Sequence, residues 1–117
     1  ILDGSHNLSG AEKLNKYLKE NNIRPNLIFG MLNNKRAFEF LSILKKNIDT
    51  LYPIKIPNEI NAHTQKEIYN IAKKLKLDTV IKKNLISINK VLIKEPNKYI
   101  LITGSLYLVG KIRKKYL

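Results

Sequence analysis

Apolar residues along the chain follow two alternating spacings. Mainly apolar runs of strand length occur at residues 27–31, 51–56, 79–81 and 99–103. Between these runs, apolar residues recur three or four positions apart, as on the buried face of a helix, at 11–18, 37–48, 68–75, 85–93 and 106–112. Alternating strands and helices are typical of β-α units stacked around a mostly parallel sheet. The pattern predicts one α/β domain over residues 1–117.

Local signals refine the element boundaries. Ser9 and Glu12 match the S/T-x-x-E capping box, which predicts that the first helix begins at Ser9. Thr64 and Glu67 repeat the pattern at the start of the third helix. Pro53 interrupts the second apolar run, and proline lacks the N–H that a central strand donates. We therefore expect the second strand at an edge of the sheet.

Composition narrows the class of protein. The chain has no cysteine, so disulfides and thiolate metal sites are excluded. It has no apolar run of the ~20 residues that a membrane helix needs, and we expect no signal peptide. A cytoplasmic, monomeric protein without a membrane partner is the expectation.

The formal net charge of +13 suggests a basic nucleic-acid-binding module as one hypothesis. However, the basic residues are almost all lysine and are spread over every segment of the chain. Arginine, which phosphate recognition favours, occurs only at Arg24, Arg36 and Arg113. The interleaved aromatic residues of single-strand binders are also missing. A solvated basic surface is therefore favoured, and no nucleic-acid partner is expected.

The apolar pair Ile1 and Leu2 is expected to be the end of a first strand. Three polar turns follow predicted strands at their carboxyl ends, where open α/β sheets bind ligands. They are residues 3–7 (Asp-Gly-Ser-His-Asn), residues 33–36 (Asn-Asn-Lys-Arg) and residues 103–105 (Thr-Gly-Ser). Each precedes a helix, whose N-terminal N–H groups favour an anion. Together the turns offer a carboxylate, an imidazole, a cation and a hydroxyl. We expect a pocket for a charged small molecule.

Each of these residues also has a purely structural interpretation. Asp3 is equally suited to capping a turn, Gly4 to relieving backbone strain, and Ser105 to capping the last helix. Lys35 is one of many lysines, and His63 is expected on the surface. The two histidines are far apart and lack a carboxylate cluster, so no metal site is expected. The chain also has no P-loop and no G-x-S-x-G elbow, because the stretch GSLYLVGKI fails the P-loop pattern.

Two end motifs and one central motif resemble a known family. LDGSHNLSGAEKL resembles the D-G-A-H-N-P-x-G-A pattern that begins the C-terminal domain of folylpolyglutamate synthases and bifunctional dihydrofolate synthases. LITGSLYLVGKIR is similar to the T-G-S-L-Y-L-x-G of the same family, and FGMLNNKRAFEFL to its G-M-L-x-D-K-D segment. The resemblance covers the whole chain. It implies a three-layer α-β-α, Rossmann-like domain of the Mur ligase superfamily.

The resemblance also implies an activity. These enzymes are ATP-dependent ligases of folate biosynthesis and one-carbon metabolism, which add L-glutamate to dihydropteroate or folate. ATP phosphorylates a substrate carboxylate, and the glutamate amine attacks the acyl phosphate to give the amide, ADP and phosphate. The P-loop and the ligands of Mg²⁺ lie in the family's N-terminal ATPase domain, which these residues do not include. The chain is expected to be inactive alone and to close over that domain.

Matching the motifs position by position implies roles for five residues. Asp3 and Gly4 contact the nucleotide, and His6 lies near the phosphates and the glutamate as the catalytic candidate. Lys35 and Ser105 are expected to bind the glutamate substrate. The central motif departs from the family, since Asn34 and Arg36 replace both acids of D-K-D. The motifs do not separate addition of the first glutamate from extension of a polyglutamate tail, and a non-catalytic remnant of a split gene stays open.

Overall fold

The computed structural model describes residues 8–33, 35–92 and 100–103. These residues form four α-helices, one short 3-10 helix and three β-strands, in the order α1 (Leu8–Glu20), β1 (Asn26–Phe29), α2 (Ala37–Leu44), the 3-10 helix (Lys45–Asn47), β2 (Leu51–Pro53), α3 (Gln65–Lys74), α4 (Leu85–Leu92) and β3 (Ile100–Thr103). The predicted last helix lies outside the described residues. The alternation of strands and helices is as the apolar pattern predicts.

The three strands form a parallel sheet in the order β2-β1-β3. Leu27 on the central strand pairs with Leu51 on one side and with Leu101 on the other. Parallel neighbours require crossover connections, which the helices between the strands provide. The α/β class with a parallel sheet is confirmed.

Both faces of the central strand are buried. Leu27 and Phe29 point to one face and join the core formed by α1, α2 and α3. There the ring of Phe29 packs 5.6 Å from the ring of Phe40, measured between centroids. On the opposite face Ile28 and Tyr52 are also buried. A sheet covered on both sides agrees with the layered arrangement that the sequence motifs imply.

Helix α1 begins at Leu8, so the prediction that it begins at Ser9 is wrong by one residue. Leu8, the first residue of the described helix, packs against the core. Ser9 therefore lies inside the first turn and does not cap it. The second capping box is confirmed: the Thr64 N–H donates to Glu67 Oε1 at 2.8 Å, and the Glu67 N–H donates to Thr64 Oγ1 at 3.1 Å.

Among the described strands β2 is the outermost on its side of the sheet, as predicted, but it is not a free edge, because the predicted strand at 79–81 still pairs with it through a single bridge between Thr79 and Leu51. Leu51 donates its N–H to Asp78 O at 2.8 Å and accepts the N–H of Val80 at 2.9 Å. The next position of β2 whose backbone N–H would face away from β1 is residue 53. Because Pro53 has no N–H, the ladder ends there.

Candidate functional site

The carboxyl ends of β1 and β3 lie side by side. Phe29, the last residue of β1, is the register partner of Thr103, the last residue of β3. The chain leaves β1 toward Lys35 and leaves β3 toward Gly104 and Ser105. Asp3, Gly4, His6 and Ser105 lie outside the described residues, so Lys35 is the one predicted site residue whose position the structure describes.

Lys35 stands in a fixed turn just before α2. Its N–H donates to the carbonyl of Leu32 at 3.1 Å, and its own carbonyl accepts the N–H of Ala37 at 3.2 Å. The side chain is exposed, and among the described residues its ammonium group has no ion-pair or hydrogen-bond partner. The neighbouring Arg36 is different, because its Nε lies 3.0 Å from Glu39 Oε2. Lys35 is thus the cation of this turn that is available to a ligand.

The N-terminus of α2 adds to the positive potential around Lys35. Arg36 occupies the N-cap position, and its side chain accepts no hydrogen bond from the first turn. The partial positive charge of a helix N-terminus therefore lies next to the lysine. Glu39 offsets part of this charge while it pairs with Arg36. A carboxylate or phosphate oxygen is the ligand chemistry that suits this position.

The turn that carries Lys35 is held by a segment far away in sequence. Leu32 and Ala62 form an isolated antiparallel bridge. On either side of it, the Asn33 N–H donates to Asn61 O at 2.7 Å and the His63 N–H donates to Met31 O at 2.9 Å. These backbone bonds join the loop after β1 to the loop before α3. No local sequence signal predicts this pairing, because it joins two irregular segments.

The sequence predicts a surface position for His63, but the structure buries most of the imidazole. Its side chain is 15% exposed, and Nδ1 is buried without a hydrogen-bond partner among the described residues. Nδ1 lies 3.8 Å from Glu67 Oε1, too far for a hydrogen bond. The N–H of Thr64 holds the pKa of Glu67 below its ordinary value, and His63 adds a smaller electrostatic contribution in the same direction.

Side-chain hydrogen bonds fix the other loops at this edge of the sheet. Gln65 Nε2 donates to Pro53 O at 3.0 Å and to Lys82 O at 2.7 Å, which ties the end of β2 to the loop before α4. Asn84 Oδ1 accepts the N–H of Ser87 at 2.9 Å and caps α4. Hydrogen bonds therefore anchor these loops at the carboxyl ends of the parallel strands.

Metal binding is a separate question. Within residues 8–33, 35–92 and 100–103, no group of three histidine, cysteine, aspartate or glutamate side chains is arranged to hold a metal ion. In the same part of the chain, every helix is too short or too polar to cross a membrane.

The fold and the cationic turn define an α/β domain with a candidate ligand site at the carboxyl ends of its strands. A family model described as the dihydrofolate synthetase C-terminal domain matches residues 1–115. The chain therefore belongs to the family of dihydrofolate synthetase C-terminal domains. No curated protein matches the chain significantly.

Solved structures of larger enzymes contain the same fold. The chain is similar to the folylpolyglutamate synthetase of Helicobacter pylori, with 24% identity and a TM-score of 0.79 over 97% of this chain and 28% of that protein. The Thermotoga maritima folylpolyglutamate synthase gives 25% identity and a TM-score of 0.78 over 96% and 26%. E. coli FolC in complex with DHPP and ADP gives 19% and 0.77 over 97% and 27%. The chain thus spans little more than a quarter of the length of these proteins.

Proposed function

We propose that the chain is the glutamate-binding domain of an ATP-dependent ligase that joins L-glutamate to dihydropteroate or folate. Family membership and the similarity to folylpolyglutamate synthases support the ligase class. The observation that carries the proposal is the position of Lys35. It presents an unpaired ammonium group, among the described residues, beside the uncapped N-terminus of α2 and at the edge where β1 and β3 end in register.

Lys35 binds a carboxylate of the incoming glutamate in this proposal. The carboxylate accepts a charge-assisted hydrogen bond from the ammonium group, and the positive end of α2 stabilises the same negative charge. Asn34 and Arg36 replace both acids of the family's D-K-D pattern, which weakens the motif match behind this role and leaves the turn more positive, and Arg36 pairs with Glu39.

The remaining roles rest on the sequence motifs. Asp3 and Gly4 contact the nucleotide, His6 acts near the phosphates and the glutamate, and Ser105 adds a second contact to glutamate. Ser105 follows Thr103 by two residues, and Thr103 ends β3 beside β1, which supports its placement near the Lys35 turn. Relatives in complex with ADP and with AMPPCP support nucleotide use in this fold.

The proposed reaction needs a larger enzyme than this chain. ATP phosphorylates the folate-type carboxylate, and the glutamate amine displaces phosphate from the acyl phosphate to form the amide. The nucleotide-binding P-loop, the ligands of Mg²⁺ and the folate pocket belong to the N-terminal ATPase domain, which is this domain's partner. We infer that the 117-residue chain is inactive alone and acts as one lobe of a cytoplasmic, monomeric ligase. Closure of the two lobes excludes water from the acyl phosphate.

A chimeric enzyme tests the proposal. The chain replaces the C-terminal quarter of the Thermotoga maritima relative, and ADP release is measured with and without L-glutamate. We expect glutamate-dependent ADP release, which Asp3→Ala or His6→Ala abolishes. A well-folded chimera without that activity contradicts the proposal and favours a non-catalytic remnant. Full activity in both variants contradicts the proposed site.

The alternative of a nucleic-acid-binding module rests on the net charge of +13. Titration with nucleic acid at two salt concentrations tests it, because phosphate contacts give steeply salt-dependent affinity. The ligase proposal expects no binding near physiological salt.

A further inference from the structure

His63 carries a buried polar atom to which the proposed reaction gives no role. Its Nδ1 atom has no hydrogen-bond partner among the described residues. Buried polar side-chain atoms are nearly always hydrogen-bonded in native proteins, so an orphaned imidazole nitrogen calls for an explanation. A neutral imidazole carries one N–H and one bare nitrogen, whereas the protonated ring carries an N–H at both positions. Protonation of His63 therefore always places a donor at Nδ1.

Glu67 offers the acceptor that this donor needs. Its Oε1 atom lies 3.8 Å from Nδ1 of His63, which is roughly 1 Å beyond the length of a hydrogen bond. The Glu67 side chain is 55% exposed, so core packing does not hold it at that distance. A carboxylate accepts several hydrogen bonds at once, so Glu67 can keep the bond from the Thr64 N–H while it receives a second one. A protonated His63 can therefore form a hydrogen-bonded ion pair with Glu67.

The charge of Glu67 is constant over the range in which histidine changes its own. The Thr64 N–H keeps the pKa of Glu67 below its ordinary value of 4.5. Histidine side chains change charge between about pH 5 and about pH 8, where this carboxylate is ionised. Neutral His63 thus leaves a negative charge on the loop, and protonated His63 balances that charge.

The backbone connects His63 directly to the turn that carries Lys35. The His63 N–H donates to the carbonyl of Met31 at 2.9 Å, and the adjacent Leu32 forms the bridge with Ala62. The carbonyl of the same Leu32 accepts the Lys35 N–H at 3.1 Å. Leu32 is thus shared by the two segments, and a displacement of the His63 segment is transmitted to the Lys35 turn through two consecutive backbone contacts.

Other charged side chains on the joined segments leave this pair as the one that titration changes. Within the described part of the chain they are Lys35, Lys55, Glu59, Lys66 and the pair formed by Arg36 and Glu39. Arg36 and Glu39 balance each other, whereas Glu67 lies within ion-pair distance of no described cation except a protonated His63. The charge state of His63 therefore sets the net charge of the loop beside the Lys35 turn.

We propose that His63 is a positioning residue of the glutamate site, and that its protonation pairs it with Glu67 and favours binding of a glutamate carboxylate at Lys35. The inference rests on the proposed function and adds a residue that acts through the Lys35 turn without touching the substrate. Two effects favour the carboxylate: the loop loses an uncompensated negative charge, and the new ion pair fixes the segment that holds the turn. Because linkage is reciprocal, bound glutamate also favours the protonated form of His63.

NMR titration of the native chain tests the link between His63 and the turn. The imidazole nitrogen signals are followed from about pH 5 to about pH 8 in ¹⁵N-labelled protein. We expect Nδ1 of His63 to become protonated as pH falls, and the amide signals of Asn33 and Lys35 to follow the same curve. The amide of Leu77, at the opposite edge of the sheet, serves as the reference and should not follow it. A nitrogen that stays bare throughout, or turn amides that do not respond, overturns the proposal.

Matched variants identify the partner of His63. Glu67→Gln removes the charge but keeps a side chain that suits this position of a capping box, so α3 retains its start. In this variant we expect His63 to become protonated only at lower pH and the response of the turn amides to shrink several-fold. Glu59→Gln makes the same change in the loop before the bridge, where no described ion pair involves Glu59, and should leave both unchanged. Equal behaviour of the two variants overturns the proposal.

Kinetics of the chimera test the effect on glutamate. The KM for glutamate is compared between the native sequence and His63→Gln at about pH 6 and about pH 8. A comparison at equal pH cancels the ionisation of the glutamate amine, which is the same for both enzymes. We expect a several-fold higher KM in His63→Gln at the lower pH, no difference at the higher pH, and little change in kcat.

Failure of this inference and failure of the proposed function give different results. Glutamate-dependent ADP release with a KM ratio that does not change with pH overturns the role of His63 alone. Turn amides that follow the titration of His63, in a chimera without ADP release, overturn the proposed function alone. The titration of the native chain needs no substitution, so it decides the link to the turn even if His63→Gln does not fold.

Discussion

Phe29 and Thr103 are register partners at the carboxyl ends of two adjacent parallel strands. The loops that leave these residues carry Lys35 on one side and Ser105 on the other. Parallel strands end at a common edge, so this pairing brings together two residues that are 74 positions apart in sequence. The proposed glutamate site depends on this relationship.

The first prediction concerns the role of Lys35. Lys35→Ala in the chimera is expected to raise the KM for glutamate about 10- to 100-fold with a smaller change in kcat, because a lost charge-assisted contact costs about 1.5–3 kcal/mol. Lys19→Ala removes an exposed lysine of α1 and serves as the control, with unchanged kinetics. An unchanged KM in Lys35→Ala would remove this residue from the site.

The second prediction separates a real helix cap from a sequence match. Thr64→Ala is expected to lower the free energy of unfolding by about 0.5–2 kcal/mol, because it removes the acceptor for the Glu67 N–H. Ser9→Ala is expected to change it by less, since Ser9 lies inside α1. Urea unfolding of the two variants measures the difference. A larger loss for Ser9→Ala would contradict the assigned start of α1.

The third prediction concerns pH. The pKa of Glu67 lies below its ordinary value of 4.5 because the Thr64 N–H binds the ionised carboxylate. The stabilisation is therefore fully present above the unfolded-state pKa and disappears as pH falls through the folded-state pKa. The stability difference between the native chain and Glu67→Gln should shrink as pH falls below 4.5. A difference that stays constant across this range in chemical unfolding would show that the carboxylate charge does not stabilise the cap.

The fourth prediction compares two phenylalanines on α2. Phe40 is buried against Phe29, so Phe40→Ala should cost about 3–5 kcal/mol of unfolding free energy. Phe38 is exposed, and Phe38→Ala should cost far less in the isolated chain. Similar losses in thermal or urea unfolding would mean that the two faces of α2 are assigned incorrectly.

Local signals predicted much of the fold. The apolar periodicity of α2 and the capping box at Thr64 and Glu67 depend on neighbours within a few residues, and both are confirmed. The edge position that Pro53 predicted for β2 is met only in part, because β2 is the outermost of the described strands but Leu51 still pairs outward with Thr79. Pro53 also ends the pairing between β2 and residues 79–81. This effect could not be predicted locally, because it depends on the sheet register, which sets the side of β2 on which the N–H is missing.

The site depends more on distant contacts. The sequence located Lys35 in a turn after β1, but the bonds from the 61–63 segment that hold this turn join residues 28 to 32 positions apart. The burial of His63 follows from the same pairing and was predicted incorrectly. Such backbone contacts between loops leave no pattern in side-chain type, so local sequence does not predict them.

The most direct test of the account is the distance between the Lys35 and Ser105 loops. The chain has no cysteine, so Lys35→Cys/Ser105→Cys takes two spin labels and no others. Adjacent strands lie about 4.8 Å apart, and the labels are therefore expected within roughly 20 Å by double electron–electron resonance. A distance close to the 36 Å longest dimension of the domain would place the loops at opposite ends and contradict the site.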